Sequence, residues 1–365
     1  MSFNPKFIIS ANLTQILMDI ESSRQTVSLL PITLQMLKSL RESAKLVSTH
    51  YSTKIEGNRL TQEEVKEVIS GSTFPNRKRD EKEVLNYYLA INYVDGLIKN
   101  EQGFLSEKNI RVIHGLVMEG KEKATPYRDG QNVITDSISK KIVYMPPEAK
   151  DVTQLMHELL DWIILQKEKG TLPVPIIAAI AHYQFATIHP YYDGNGRTAR
   201  LLTNIILHKL GYGLKGIYSL EEYYAKNLQS YYDALSIGES HNYYFGRVEA
   251  DISKWIEYFC SGMAEAFAKV KILAQEAKSD NEKDQSFLLR ELDQRQKKVL
   301  QLFIGSKFIT TKEIAILLGI HTRSALNLCK KWTDEGFILQ EGFSNKTRKY
   351  QLVEKWLPLL QYNLN

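Results

Sequence analysis

Twelve consecutive residues, His189-Pro190-Tyr191-Tyr192-Asp193-Gly194-Asn195-Gly196-Arg197-Thr198-Ala199-Arg200, combine a histidine, a carboxylate, two glycines and two arginines. Gly194 and Gly196 free the backbone from Cβ sterics, so a tight turn can aim successive N–H groups at an anion. A helix starting near Asn195 or Gly196 adds its unpaired N-terminal N–H groups to that nest. Arg197 and Arg200, three apart, share a helix face and offer planar donors to outer phosphate oxygens. Asp193 suits a Mg²⁺ ion shared with phosphates. His189, with an ordinary pKa of about 6.5, can take a proton from a hydroxyl at neutral pH. The chemistry these residues favour is gripping a polyphosphate while deprotonating a nucleophile. A zinc reading would use His182 and His189 with Asp193, but no HExxH pair or cysteine supports it, and the GxxxxGK[ST] phosphate loop is absent.

Two helices must deliver this stretch. Ala178 to Ile188 is an apolar run reading as a buried helix within 174–188, and Pro190 predicts its end with His189 extended. Leu201, Leu202, Ile205, Ile206 and Leu210 recur at helical period, so a helix runs from near Arg197 to about Leu210. Upstream, Thr61 and Glu64 form a capping box before a short helix to Ile69. Helices are expected over 81–99, 106–120, 148–167, 219–236 and 246–275. Between them, Val133-Ile134 and Ile142-Val143-Tyr144 are short β-like runs, a small hairpin ended by Pro146-Pro147.

The twelve residues resemble the signature of the Fic family, His-x-Phe-x-Asp-Gly-Asn-Gly-Arg-x-x-Arg, with Tyr191 replacing the aromatic Phe as the sole departure. The resemblance covers about residues 15–275. It implies an all-α fold, a Fic-type helical core with a β-hairpin flap. It implies transfer of AMP from ATP to Ser, Thr or Tyr hydroxyls of target proteins and of the protein itself, releasing pyrophosphate. In that scheme His189 is the base and Asp193 the Mg²⁺ ligand. Gly194, Asn195, Gly196, Arg197 and Arg200 hold ATP phosphates. A phosphorylating branch carries lysine in place of Gly196, so the glycine favours AMP transfer. The stretch 131–145, with Val133, Ile134, Thr135, Ile142 and Val143, matches the flap that clamps the target by main-chain pairing. Tyr231 or Tyr232 would contact the adenine.

Ser52-Thr53-Lys54-Ile55-Glu56-Gly57 by itself reads as a polar stretch whose glycine could close a helix. Beside the signature it resembles the family's inhibitory motif, [Ser/Thr]-x-x-x-Glu-[Gly/Asn], with Ser52 and Glu56 at the defining positions. The resemblance implies that Glu56 pairs with Arg200, occupying the arginine meant for the γ-phosphate and leaving ATP poorly aligned. Some members use this glutamate to remove AMP, which makes removal a second expected activity.

The bulk composition, 43% apolar and 24% charged, is that of folded protein, and 365 residues allow two or three domains. A formal charge of +5 permits phosphate partners without arguing for them. Cys260 and Cys329 lack a partner motif and fit a reducing compartment. No signal-like terminus or long apolar run is present, so the expectation is a cytoplasmic protein without a membrane span. The chain divides into an N-terminal helical region (1–75), a core (76–275), a linker (276–291, its polar part Glu276 to Gln285) and a small domain (292–354). The last reads as a winged helix: a helix from Gln296 to Phe303, a capping box at Thr310 and Glu313, a third helix from His321-Thr322 to Trp332, then a hairpin. Arg323, Lys330, Lys331, Lys346, Arg348 and Lys349 give residues 321–350 a basic set compatible with DNA. Asp334, Glu335 and Glu341 oppose it, and such modules also dock proteins or pair as homodimers. A rival to the enzyme reading is a nucleotide-sensing, DNA-binding regulator.

Overall fold

The computed structural model describes residues 3–30, 32, 34–99, 105–135, 141–238, 241–281, 286–304, 306–342 and 348–361. It divides into two compact units, one of residues 1–30 and 39–274, the other of 31–38 and 275–365.

The first unit is helical. Its elements are α1 (Ala11–Leu29), α2 (Leu34–Ile55) from residue 39 onward, α3 (Gln62–Ile69), α4 (Lys78–Lys99), α5 (Glu107–Glu119), the hairpin strands β1 (Ile134–Thr135) and β2 (Ile142–Tyr144), α6 (Ala149–Lys169), α7 (Val174–Ile188), α8 (Asn195–Lys209), α9 (Glu221–Lys226), α10 (Leu228–Leu235) and α11 (Ser253–Asn281) as far as residue 274. Residues 1–30 and 39–75 of the N-terminal helical region fall within this unit. Helix α7 is apolar on all sides and nearly every residue is buried, which makes it the centre of the unit. It packs against α6 and α8, and the Trp255 indole on α11 donates to the Ala179 carbonyl at 2.7 Å. A second layer joins α4, α5 and α8 through Tyr87, Ile91, Ile113, Val117, Leu201 and Ile205. The capping box of Thr61 and Glu64 starts α3, which seals Val65 and Val68 against Leu60 and Val84.

Two long helices expected from periodicity are interrupted. The stretch 219–236 breaks at Asn227, whose φ of −123° and ψ of 46° are not helical. The break lets Tyr224 and Tyr231 stack at 4.9 Å, a tertiary contact that outweighs local propensity. The stretch 246–275 begins regular helix only at Ser253, where Asp251 accepts the Ser253 N–H. Before it, Tyr243–Arg247 is a kinked turn with Gly246 at φ 92°.

The second unit contains α12 (Ser286–Glu291), α13 (Gln294–Ile304), α14 (Thr311–Leu318), α15 (Thr322–Asp334), strands β3 (Ile338–Glu341) and β4 (Lys349–Leu352), and a closing 3₁₀ turn, Glu354–Gln361. Helix–turn–helix followed by an antiparallel hairpin is a winged-helix arrangement. Its core holds Val299, Ile314, Ala325, Cys329, Trp332, Phe337 and Tyr350. The expected linker is shorter than composition suggested. Its first residues continue α11 to Asn281, because they are ordinary helix formers, and its last turn forms α12, whose Leu288 enters the core. Past residue 354, Trp356 and Leu359 are buried too, so the apolar pattern extends the unit at both ends. Among the described residues, no helix is long and apolar enough to cross a membrane.

Candidate active site

The site hangs on the joint between α7 and α8. Helix α7 stops because His189 takes left-handed backbone, φ 50° and ψ 61°, with its N–H donating to Phe185 O at 3.0 Å. The extended geometry expected before Pro190 is therefore corrected. A left-handed residue closes the helix, and the loop around it holds that shape. Arg128 Nε donates to His189 O at 2.9 Å, and the Arg128 N–H donates to Pro190 O at 2.9 Å. Left-handed backbone costs a non-glycine residue about 1 kcal/mol, so the surroundings impose it.

The half-buried His189 ring has Nδ1 3.4 Å from Ala186 O. A carbonyl only accepts, so Nδ1 carries the proton and Nε2 keeps its lone pair. Burial pushes the imidazole pKa down to about 4, with the Ala186 contact opposing. The ring is neutral at pH 7 and suited to accept a proton.

Gly194 begins α8 in left-handed backbone at φ 76°, and a Cβ there would lie 2.6 Å from Met118 Sδ. Only glycine fits. The turn is locked by Asn195, whose side chain pairs with both Tyr191 main-chain groups at 3.0 and 2.8 Å. The Tyr191 ring is buried and stacks on His114 at 3.5 Å, while His114 Nε2 lies 2.9 Å from Asp193 O. Asp193 is the exposed member, with 67% of its side chain open, and Oδ1 accepts the Gly194 N–H at 2.5 Å. That is a hard oxygen donor facing outward beside a helix N-terminus, which fits a cation shared with phosphates rather than an all-protein cage.

Both arginines are buried and engaged inside the protein. Arg200 Nε donates to Ser52 Oγ at 2.8 Å, and Nη2 donates to Ser52 O at 3.0 Å and Glu56 Oε1 at 2.9 Å. Burial alone would lower the Arg200 pKa, but the Glu56 carboxylate, with smaller contributions from Tyr231 and Tyr87, offsets it and the pKa is raised. Ser52 and Glu56 thus meet Arg200 across 148 and 144 residues of sequence. Gly196 lies directly beneath: a Cβ there would sit 2.7 Å from Glu56 Oε1 and 3.1 Å from Arg200 Nη1. Arg197 differs from the open phosphate donor expected of it. Its Nη1 donates to Glu83 Oε1 at 2.6 Å and its Nη2 lies 3.3 Å from Asp193 Oδ1.

The structure separates the two tyrosines considered for the base. Tyr231 is buried, with its hydroxyl 3.0 Å from His182 Nε2, whereas Tyr232 is 44% exposed. His182 is wholly buried and its other nitrogen lies 3.0 Å from Thr203 Oγ1, so both ring nitrogens are occupied and the zinc reading fails. In the hairpin, Ile134 pairs with Tyr144 and Thr135 with Ile142 across a bulge. Val133, Ile142 and Val143 are exposed, and the tip, 136–140, lies outside the described residues. In the second unit Arg323, Lys330, Lys331 and Lys349 are exposed, Arg348 is half-buried, and Lys346 lies outside the described residues.

Sequence reasoning missed Glu83, Asn58, His114 and Arg128. Arg128 stood in a Tyr-Arg-Asp-Gly turn that carried no signal of its role. Glu83 looked like one charge among many on α4. Asn58 follows the Glu56-Gly57 pair directly, and only that adjacency could have drawn notice.

The helical core thus brings together His189 at the end of one helix, a glycine-lined start of the next and an arginine clamped by a carboxylate. Residues 104–207 match the model of the Fic/DOC family. It is similar to "Protein adenylyltransferase Fic" of Aedes aegypti, 27% identical over 72% of this chain and 51% of that protein. "Protein adenylyltransferase Fic" of Nematostella vectensis is 30% identical over 49% of this chain and 41% of that protein. The chain spans about half the length of the curated relatives it matches. Its fold is shared with a Fic family protein from Desulfovibrio desulfuricans, with TM-score 0.59 and 22% identity over 96% of this chain and 99% of that one. A Fic-domain signalling protein from Bacteroides thetaiotaomicron gives TM-score 0.60 and 24% identity over 74% and 97% of the two chains.

Proposed function

We propose that the protein is an adenylyltransferase that moves AMP from ATP to a hydroxyl of a protein side chain, and that Glu56 restrains it. His189 Nε2 takes the hydroxyl proton. The oxygen then bonds to the α-phosphorus, the bond from that phosphorus to the β-phosphate bridging oxygen breaks, and pyrophosphate leaves with its electron pair. The α8 N-terminus supplies the N–H donors of Asn195 and Gly196 to the phosphates, while the Gly194 N–H is held by Asp193 Oδ1. Asp193 would hold Mg²⁺, which screens phosphate charge when bound. The exposed hairpin edge would align the target strand by main-chain pairing. Tyr232 would border the adenine.

The observation that carries this reading is the 2.9 Å pair of Glu56 with Arg200, a carboxylate held where a terminal phosphate would need the arginine. Glu56→Gly should raise AMP transfer on the order of a hundredfold by freeing that donor. The test is mass spectrometry of proteins incubated with Mg-ATP and parent or variant. The expected outcome is AMP-modified hydroxyls in the variant reaction and few in the parent. Phosphate adducts in place of AMP, or equal labelling by both proteins, would reject the reading.

A further inference from the structure

The turn bearing Glu56 has a second anchor besides Arg200. Asn58 is 7% exposed, and its Oδ1 accepts the Leu60 N–H at 3.1 Å. Its Nδ2 donates to Asp80 O at 3.0 Å and to Glu83 Oε2 at 3.0 Å. The other oxygen of Glu83 receives Arg197 Nη1 at 2.6 Å, and Arg197 Nη2 reaches Asp193. One buried carboxylate on α4 thus grips both the residue two after Glu56 and the arginine opening α8. Arg197 is incompletely satisfied, for its Nε is buried with no hydrogen-bond partner among the described residues. Such an atom has much to gain from an incoming phosphate oxygen.

We propose that Glu83 is a positioning residue that couples the inhibitory turn to the phosphate cradle, with Asn58 as the link to Glu56. Holding Asn58 fixes the turn so that the Glu56 carboxylate stands against Arg200. Holding Arg197 makes that position sensitive to whatever the cradle binds. A phosphate drawing on Arg197 competes with Glu83 for the guanidinium and loosens the carboxylate that steadies Asn58. By linkage, a loosened turn favours phosphate in return. A purely structural role is a poor account of the arrangement, since a buried ion pair stabilises no better than apolar residues of similar volume.

The proposal rests on Glu56 acting as the restraint, and its test separates the two. Asn58→Ala removes the link while leaving Glu56, Arg200, Arg197 and Asp193 in place. It should raise AMP transfer about tenfold in the parent, the equivalent of one hydrogen bond to a charged group, and leave the Glu56→Gly background unchanged within about twofold. Asn58→Ser, too short to reach Glu83, replaces it if the alanine variant does not fold. An equal effect in both backgrounds, or none in either, overturns the proposal. If Glu56→Gly itself transfers no AMP, the enzyme reading fails, and the coupling is then read from Mg-ATP affinity by calorimetry in His189→Ala protein. There Asn58→Ala should tighten binding when Glu56 is present and not when it is glycine. Equal affinities in all four proteins overturn the coupling.

Discussion

His189 stands on backbone that histidine seldom adopts, and its chemistry follows from that placement. The left-handed turn sets Nδ1 toward Ala186 O and leaves Nε2 to act, while burial holds the ring neutral. The proposed base is the neutral form, and a pKa of about 4 keeps it populated far below the ordinary imidazole range. In the Glu56→Gly protein, kcat/KM, which reports the free enzyme, should therefore stay level from pH 8 to about 5.5. An acid limb centred near 6.5, measured with a soluble target under fixed Mg-ATP, would mean the ring is in water. At this scale the signature was legible because residue type alone dictates what a histidine, an aspartate or an arginine can do. It did not reveal that Arg197 already has Glu83 as a partner, since that contact spans 114 residues.

The elements act as struts, and one loop side chain ties them. Arg128 donates to His189 O at 2.9 Å, to Gly130 O at 3.0 Å and to Pro147 O, joining the end of α7 to both ends of the hairpin region. Lysine cannot reproduce that planar fork. Arg128→Lys should lower stability by about 2 kcal/mol and reduce AMP transfer by the Glu56→Gly enzyme at least about tenfold, with Mg-ATP affinity little altered. Thermal melts together with calorimetry check this. An unchanged rate would mean that the turn holds His189 without Arg128. The helices around the site were legible because α7 and α8 carry strong apolar patterns, and the capping boxes at Thr61 and Thr310 mark real helix starts. The break at Asn227 was not legible, because it serves the stacking of Tyr224 on Tyr231, a side-chain contact that helical periodicity does not encode. Nor could composition tell polar linker from polar helix between Glu276 and Asn281.

For the whole molecule, burying neutral histidines makes stability depend on acid. His182 is wholly enclosed, and burial pushes its pKa down to about 3, with Arg200 adding to the effect. Unfolded, it would titrate near 6.5, so below that pH the unfolded chain binds the extra proton and the folded one does not. Its contribution is full above about 6.5 and falls by about 1.4 kcal/mol per pH unit as pH drops toward the folded value. Urea melts between pH 7 and 5 should show this slope, and His182→Gln should flatten it. An identical slope in the variant would assign the loss to other groups. The central claim, that the fold delivers adenylyl transfer and Glu56 withholds it, is tested most directly with ATP labelled on the α- or the γ-phosphate. Covalent protein label should arise from α-labelled ATP with Glu56→Gly, little with the parent, and none once His189→Ala is added. Label arriving from the γ-phosphate, or α-label that persists without His189, would contradict it.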